Sequence, residues 1–122
     1  MKSKDNPYCI PHKRELSRKE VSILQCLLAN NLEYYKKISR LKVVARCGCG
    51  NCPTVLFANS FDSKPLTGTF NQIAESCGTA VNGTLVGVAV LEREGQIAEL
   101  EAWSVCGGIF SDWPSVEALS KS

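Results

Sequence analysis

The stretch "TLVGVAVLEREGQIAELEAWSV", residues 84–105, constrains the fold most. Two runs rich in Val, Ile, Leu and Ala flank the turn "REGQ", which reads as a β-hairpin. The first arm is apolar on both faces, so it belongs inside a sheet with helices packed over it. The second arm alternates. Glu99, Glu101 and Trp103 fall on one side, and Ala98, Leu100 and Ala102 on the other.

The rest of the chain supplies partners for that hairpin. "KVVARC" at 42–47 and "TVLFA" at 54–58 read as two further strands joined by a cysteine-rich loop. The polar segment "NSFDSKPLTGTF" precedes a weaker strand expected around 75–82. Nearer the N-terminus, "SRKE" at 17–20 is a capping box, with Ser17 and Glu20 reciprocally satisfying backbone N–H groups. The helix it opens places Val21, Ile23, Leu24, Leu27 and Leu28 on one arc, with Ser22, Gln25 and Cys26 opposite. A second short helix, about 31–40, has Leu32, Tyr35 and Ile38 at helical spacing and Tyr34 nearby. Pro7 and Pro11 oppose any earlier helix, so residues 1–13 are expected to form a loose arm. The predicted fold is α+β: two N-terminal helices packed on a mostly antiparallel sheet of four or five strands. A chain of 122 residues fits a single domain, 1–122.

No apolar run approaches 20 residues, so no membrane span is expected. "MKSKDNPYCIPHKRELSRKE" carries charges, with neither an apolar stretch nor a small-residue cleavage site, and is not read as a secretory signal. A cytoplasmic location is the resulting expectation. Cys9, Cys26, Cys47, Cys49, Cys52, Cys77 and Cys106 are odd in number and unevenly spaced. That favours free thiols or a metal site over a disulfide framework.

A small net charge of +2 conceals an asymmetry. Residues 1–46 carry eleven Lys/Arg against four Asp/Glu, giving +7; residues 70–122 carry two against seven, giving −5. Such a chain can neutralise itself internally or present a charged face to a partner. The basic N-terminal half invites a nucleic-acid reading; a solvated helix face is the commoner use of such charge.

Three chemistries compete for the cysteines. Cys47-x-Cys49-x-x-Cys52 gathers three thiol donors in a glycine-rich loop. A closed zinc site needs a fourth ligand, for which Cys106 or the Cys9-x-x-His12 pair are candidates. Cys49-x-x-Cys52 has the spacing of a redox pair, but Pro53 and the β-branched residues after it predict a strand where that chemistry needs a helix. A thiol nucleophile would need His12, the only histidine, as its base. No Ser/His/Asp set, phosphate-binding glycine loop or H-E-x-x-H helix occurs. The cysteine turn is therefore read as a tight strand-to-strand connection with no metal favoured, and the protein as no enzyme. Glu99 and Glu101 beside Trp103 and Trp113 suit a basic protein partner, aromatic anchors ringed by charge being common in tight interfaces.

"RELSRKEVSILQCLL", "KVVARCGCGNCPTVLF", "VGVAVLEREGQIAELEAWS" and "DWP", in that order, resemble a small bacterial family of about this length. Its members pair an "ELS…E…IL" helix with a "C-x-C…CPT" turn and a "G(Q/R)…LE" hairpin. In size and character the chain also resembles immunity proteins of bacterial toxin systems such as contact-dependent growth inhibition. That resemblance implies a domain without a catalytic site, which binds the C-terminal domain of a cognate toxin, a nuclease above all. It implies an acidic binding surface, here Glu92, Glu94, Glu99, Glu101 and Asp112 with Trp103 and Trp113. The alternative is a small zinc-binding or nucleic-acid-binding regulatory module that uses the basic helices.

Overall fold

The hairpin forms as its sequence dictates. In the computed structural model, which describes residues 2–4 (as backbone alone), 9–49 and 52–119, strands β6 (Leu85–Arg93) and β7 (Gln96–Ser104) pair antiparallel from Arg93↔Gln96 to Val86↔Ser104. Two residues make the turn. Glu94 has φ 53° and Gly95 φ 82°, so both lie in the left-handed region. A two-residue turn with both φ positive matches the right-handed twist of the strands it joins. The buried Glu92 carboxylate braces it, accepting from the Gly95 N–H at 3.0 Å and from Asn71 Nδ2 at 2.9 Å.

Five more strands extend the sheet: β1 (Lys2–Lys4), β2 (Cys9–Arg14), β3 (Lys42–Cys47), β4 (Val55–Ala58) and β5 (Gly68–Thr79). The order is β1-β5-β6-β7-β4-β3-β2, and the six pairings are all antiparallel. The α+β class is as expected, but among the described residues seven strands replace the four or five anticipated. The extra ones come from the N-terminus. Where a loose arm was expected, residues 9–14 pair with β3 at one sheet edge and residues 2–4 with β5 at the other. Pro11 opposes a helix but not an edge strand, and the register shifts just after it, between Pro11 and Arg14. Residues 1 and 5–8 of that expected arm, and Gly50 of the cysteine turn, lie outside the described residues. A flat sheet would set β1 and β2 roughly 29 Å apart, at about 4.8 Å per strand step. The chain from Lys4 to Cys9 reaches at most about 18 Å. The sheet is therefore strongly curled.

Helix α1 (Arg18–Leu27) begins at Ser17 with both halves of the capping box formed. Its Ile23 and Leu24, with Leu28 just beyond, are fully buried. They pack on Val43, Val55, Phe57, Val86, Val88, Val90, Leu100 and Ala102, one face of the sheet. Each such burial stabilises by about 1.5–3 kcal/mol. The second helix is shorter than expected: α2 covers Leu32–Tyr35, and a separate 3-10 turn covers Ile38–Arg40. On the other sheet face a smaller cluster of Phe70, Ala89, Leu91 and Ala98 packs with Leu66 and Trp103, and no helix residue among the described residues joins it. No described helix is long and apolar enough to cross a membrane.

Candidate functional site

Two places gather the residues singled out by sequence: the helix-free sheet face around Trp103, and the cysteine turn at the β3–β4 connection.

The sheet face follows from register. Gly87 lies opposite Trp103 on β7 and Cys77 on β5. Ala89 lies opposite Glu101 on β7 and Glu75 on β5. Residues two apart share a face, so Glu75, Cys77, Gly87, Ala89, Glu101 and Trp103 lie together. The Trp103 indole rests on Gly87, where a Cβ would overlap its Cε2 and Cζ2 atoms. Glycine is therefore required there for the ring to lie flat. The carboxylate of exposed Glu75 and that of half-buried Glu101 flank the small residue Ala89 from strands about 10 Å apart.

The expected acidic surface is not continuous. Glu99 is fully buried, opposite Leu91 on one side and Leu56 on the other. It shares the face of Glu101 but is enclosed there, where Glu101 is only half-buried. Glu92 is buried as the brace of the hairpin turn. Burial pushes its pKa up, and hydrogen bonds from Asn71, Gly95 and Tyr34, with the Lys37 charge, bring the net value below the usual carboxylate range. Trp113 is 3% exposed. All three are buried, so the expected surface does not run through them. Glu94 is exposed at the hairpin tip. Asp112 is exposed and ion-paired with Lys19 at 2.7 Å, a contact that holds its carboxyl below the usual range.

Trp113 belongs to a polar knot centred on Glu20. Arg14 Nη1 and Nη2 donate to the two Glu20 oxygens at 2.8 Å each. The Ser17 N–H donates at 2.8 Å and Trp113 Nε1 at 3.1 Å. Burial raises the Glu20 pKa, but these donors outweigh it and hold the carboxyl below its ordinary value. The knot ties β2, the start of α1 and the C-terminal loop together. His12 Nε2 accepts from Arg14 Nε at 3.1 Å, so the one histidine is built into the same knot. A cavity of about 360 Å³ beside it is lined by His12, Arg14, Arg46, Cys52, Asp112 and Trp113, among others.

Part of the basic half is engaged with the chain itself. Arg14 pairs with Glu20, Lys19 with Asp112 and Lys42 with Glu15. Lys37 donates to the Gly95 carbonyl at 2.6 Å and lies over the Tyr34 ring. The charge asymmetry of the sequence is thus partly neutralised within the fold.

At the cysteine turn, the thiols of Cys47, Cys49 and Cys52 all lie within 4.8 Å of one another. Cys49 Sγ and Cys52 Sγ are 3.3 Å apart, and the Cys52 N–H donates to Cys49 Sγ at 3.4 Å. The neck is closed by the Cys47 N–H donating to the Thr54 carbonyl at 3.1 Å. Burial, with the neighbouring thiols adding to it, pushes the Cys47 thiol up to about 11. Cys52 leads through Pro53 into β4 rather than into a helix, so the helix N-terminus that would activate a redox pair is missing at this position.

Sequence reasoning passed over Glu75 and offered Cys9 only as one of several fourth ligands. Glu75 sits in a strand whose polar pattern hid its start at Gly68. Cys9 lies directly opposite Cys47, a pairing that only the β2 register reveals.

Compared with known proteins, the chain matches no family model, no curated protein sequence and no solved structure.

Proposed function

We propose that this protein is a non-enzymatic binding protein that neutralises a basic protein partner, in the manner of an immunity protein acting on a cognate bacterial toxin domain. The observation that carries this reading is the helix-free sheet face, with Trp103 flat on Gly87 and Glu75 and Glu101 flanking Ala89. A large aromatic held flat, with carboxylates beside it, offers buried area to a partner and a field that attracts a cationic one. A nuclease toxin fits because its substrate groove must be basic to bind phosphates. The resemblance to immunity proteins supports the same reading. The internal pairing of Arg14, Lys19 and Lys42 weighs against nucleic acid as the ligand.

The mechanism is steric and electrostatic. The sheet face covers the toxin's substrate groove, and complementary charge speeds the encounter. The test is co-expression with a panel of nuclease toxin domains, to find one whose growth arrest this chain relieves. Wild type restores growth, and the Glu75→Lys/Glu101→Lys double variant does not, although it folds. Full protection by that variant refutes this surface.

A further inference from the structure

We propose that Cys47, Cys49, Cys52 and Cys9 form a tetrahedral thiolate site for a zinc ion. The proposal rests on the cysteine turn alone and is independent of the partner-binding face. Zinc bound by sulfur at about 2.3 Å places the sulfurs of a regular tetrahedron about 3.8 Å apart. Three thiols already lie within 4.8 Å of one another, one pair at 3.3 Å. Side-chain rotation alone can close three donors on one ion.

The loop is built to hold them there. Cys47 ends β3, and Cys52 lies three residues before β4. The backbone bond from Cys47 to Thr54 clamps the two ends together. The Cys52 N–H points at Cys49 Sγ, the kind of outer contact that orients a thiolate ligand.

Cys9, outside that group of three, is brought alongside it by strand register and is the fourth donor proposed. It stands directly across from Cys47 in the β2–β3 pair. Directly opposed residues of an antiparallel pair project on the same face, with Cβ atoms about 4.5–5.5 Å apart. The other candidates from the sequence are placed less well. His12 Nε2 is taken by Arg14, and Cys106 lies exposed in the loop after β7. Four thiolates on zinc carry a net charge of −2. Arg46, next to Cys47 in β3, lines the cavity that also touches Cys52 and brings a cation to that side of the site. Such a site would staple β2, β3 and the loop into β4, joining the N-terminal edge strand to the sheet.

The test uses the full chain, purified under reductant without chelator, with zinc and then cobalt(II) as the probes. Bound metal is counted by mass spectrometry, and cobalt coordination is read from its visible absorption. About one zinc per chain is expected, with the intense visible bands of tetrahedral cobalt–thiolate coordination. Cys49→Ser, at an exposed position, should abolish tight binding while far-ultraviolet circular dichroism stays native. Cys9→Ser should weaken zinc binding at least tenfold and shift the cobalt bands as sulfur is replaced by oxygen. Cys106→Ser should change neither. Less than about 0.2 zinc per wild-type chain after loading overturns the site. Unchanged affinity in Cys9→Ser overturns the assignment of the fourth ligand.

Discussion

Replacing Glu20 probes the polar knot that joins both ends of the chain. Its carboxylate is 1% exposed and accepts four hydrogen bonds, two from Arg14 and one each from the Ser17 N–H and Trp113 Nε1. Removing one member of a buried ion pair costs about 3–5 kcal/mol. Arg14 is 36% exposed, so water can recover part of its loss and the lower end applies. Half of the capping box goes as well. Glu20→Ala should therefore destabilise by about 3 kcal/mol. With a urea dependence of about 2 kcal/mol/M for a domain of this size, the midpoint falls by about 1.5 M. Glu20→Gln keeps the shape but turns an amide toward Arg14, and about 2 kcal/mol is expected. The two variants also differ from wild type in their response to pH. The folded pKa of Glu20 lies below its unfolded value. Its stabilisation is complete above the unfolded value, about 4.3, and is lost as the pH falls through the lower folded one. The gap between wild type and Glu20→Gln should therefore narrow on acidification from about pH 5 downward. A midpoint change under about 0.3 M for Glu20→Ala would refute the reasoning. So would a gap that stays constant down to pH 3.

Other substitutions separate surface from interior. Glu99→Lys buries a cation at a fully enclosed position and should abolish cooperative unfolding, whereas Glu75→Lys, at an exposed position, should stay within about 0.5 kcal/mol of wild type in thermal melts. Gly87→Ala must push the Trp103 ring off the strand, so near-ultraviolet circular dichroism changes and partner affinity drops, while far-ultraviolet signal persists. Gly95→Ala meets the left-handed backbone of the hairpin turn and should cost about 1 kcal/mol in urea titration. Lys19→Ala removes an exposed ion pair, and less than about 1 kcal/mol should be lost.

The parts of the fold legible in the sequence were those with a single dominant local signal. The capping box at Ser17 and Glu20, the apolar arc of α1 and the β6–β7 hairpin are each read from neighbours in the chain, and each is found. Strand β2 was hidden because "CIPHKR" contains a proline and buries little, so nothing local distinguishes it from an arm. Its strand character comes from β3. The same non-local dependence governs the candidate site. Alternation placed Glu99, Glu101 and Trp103 on one face, as the register shows, but burial along that face depends on strands far away in sequence. Glu99 accordingly sits inside while Glu101 does not. Trp113 and Glu92 look like surface anchors in sequence because nothing local reveals that Glu20 and the hairpin turn claim them.

The most direct test of the binding proposal is stopped-flow association of a nuclease toxin domain that wild type neutralises, measured with wild type and with Glu75→Lys/Glu101→Lys. The double variant is expected to associate about tenfold or more slowly in dilute buffer, with the difference shrinking as salt rises past about 0.15 M. Equal association rates for the two proteins at every salt concentration would contradict it.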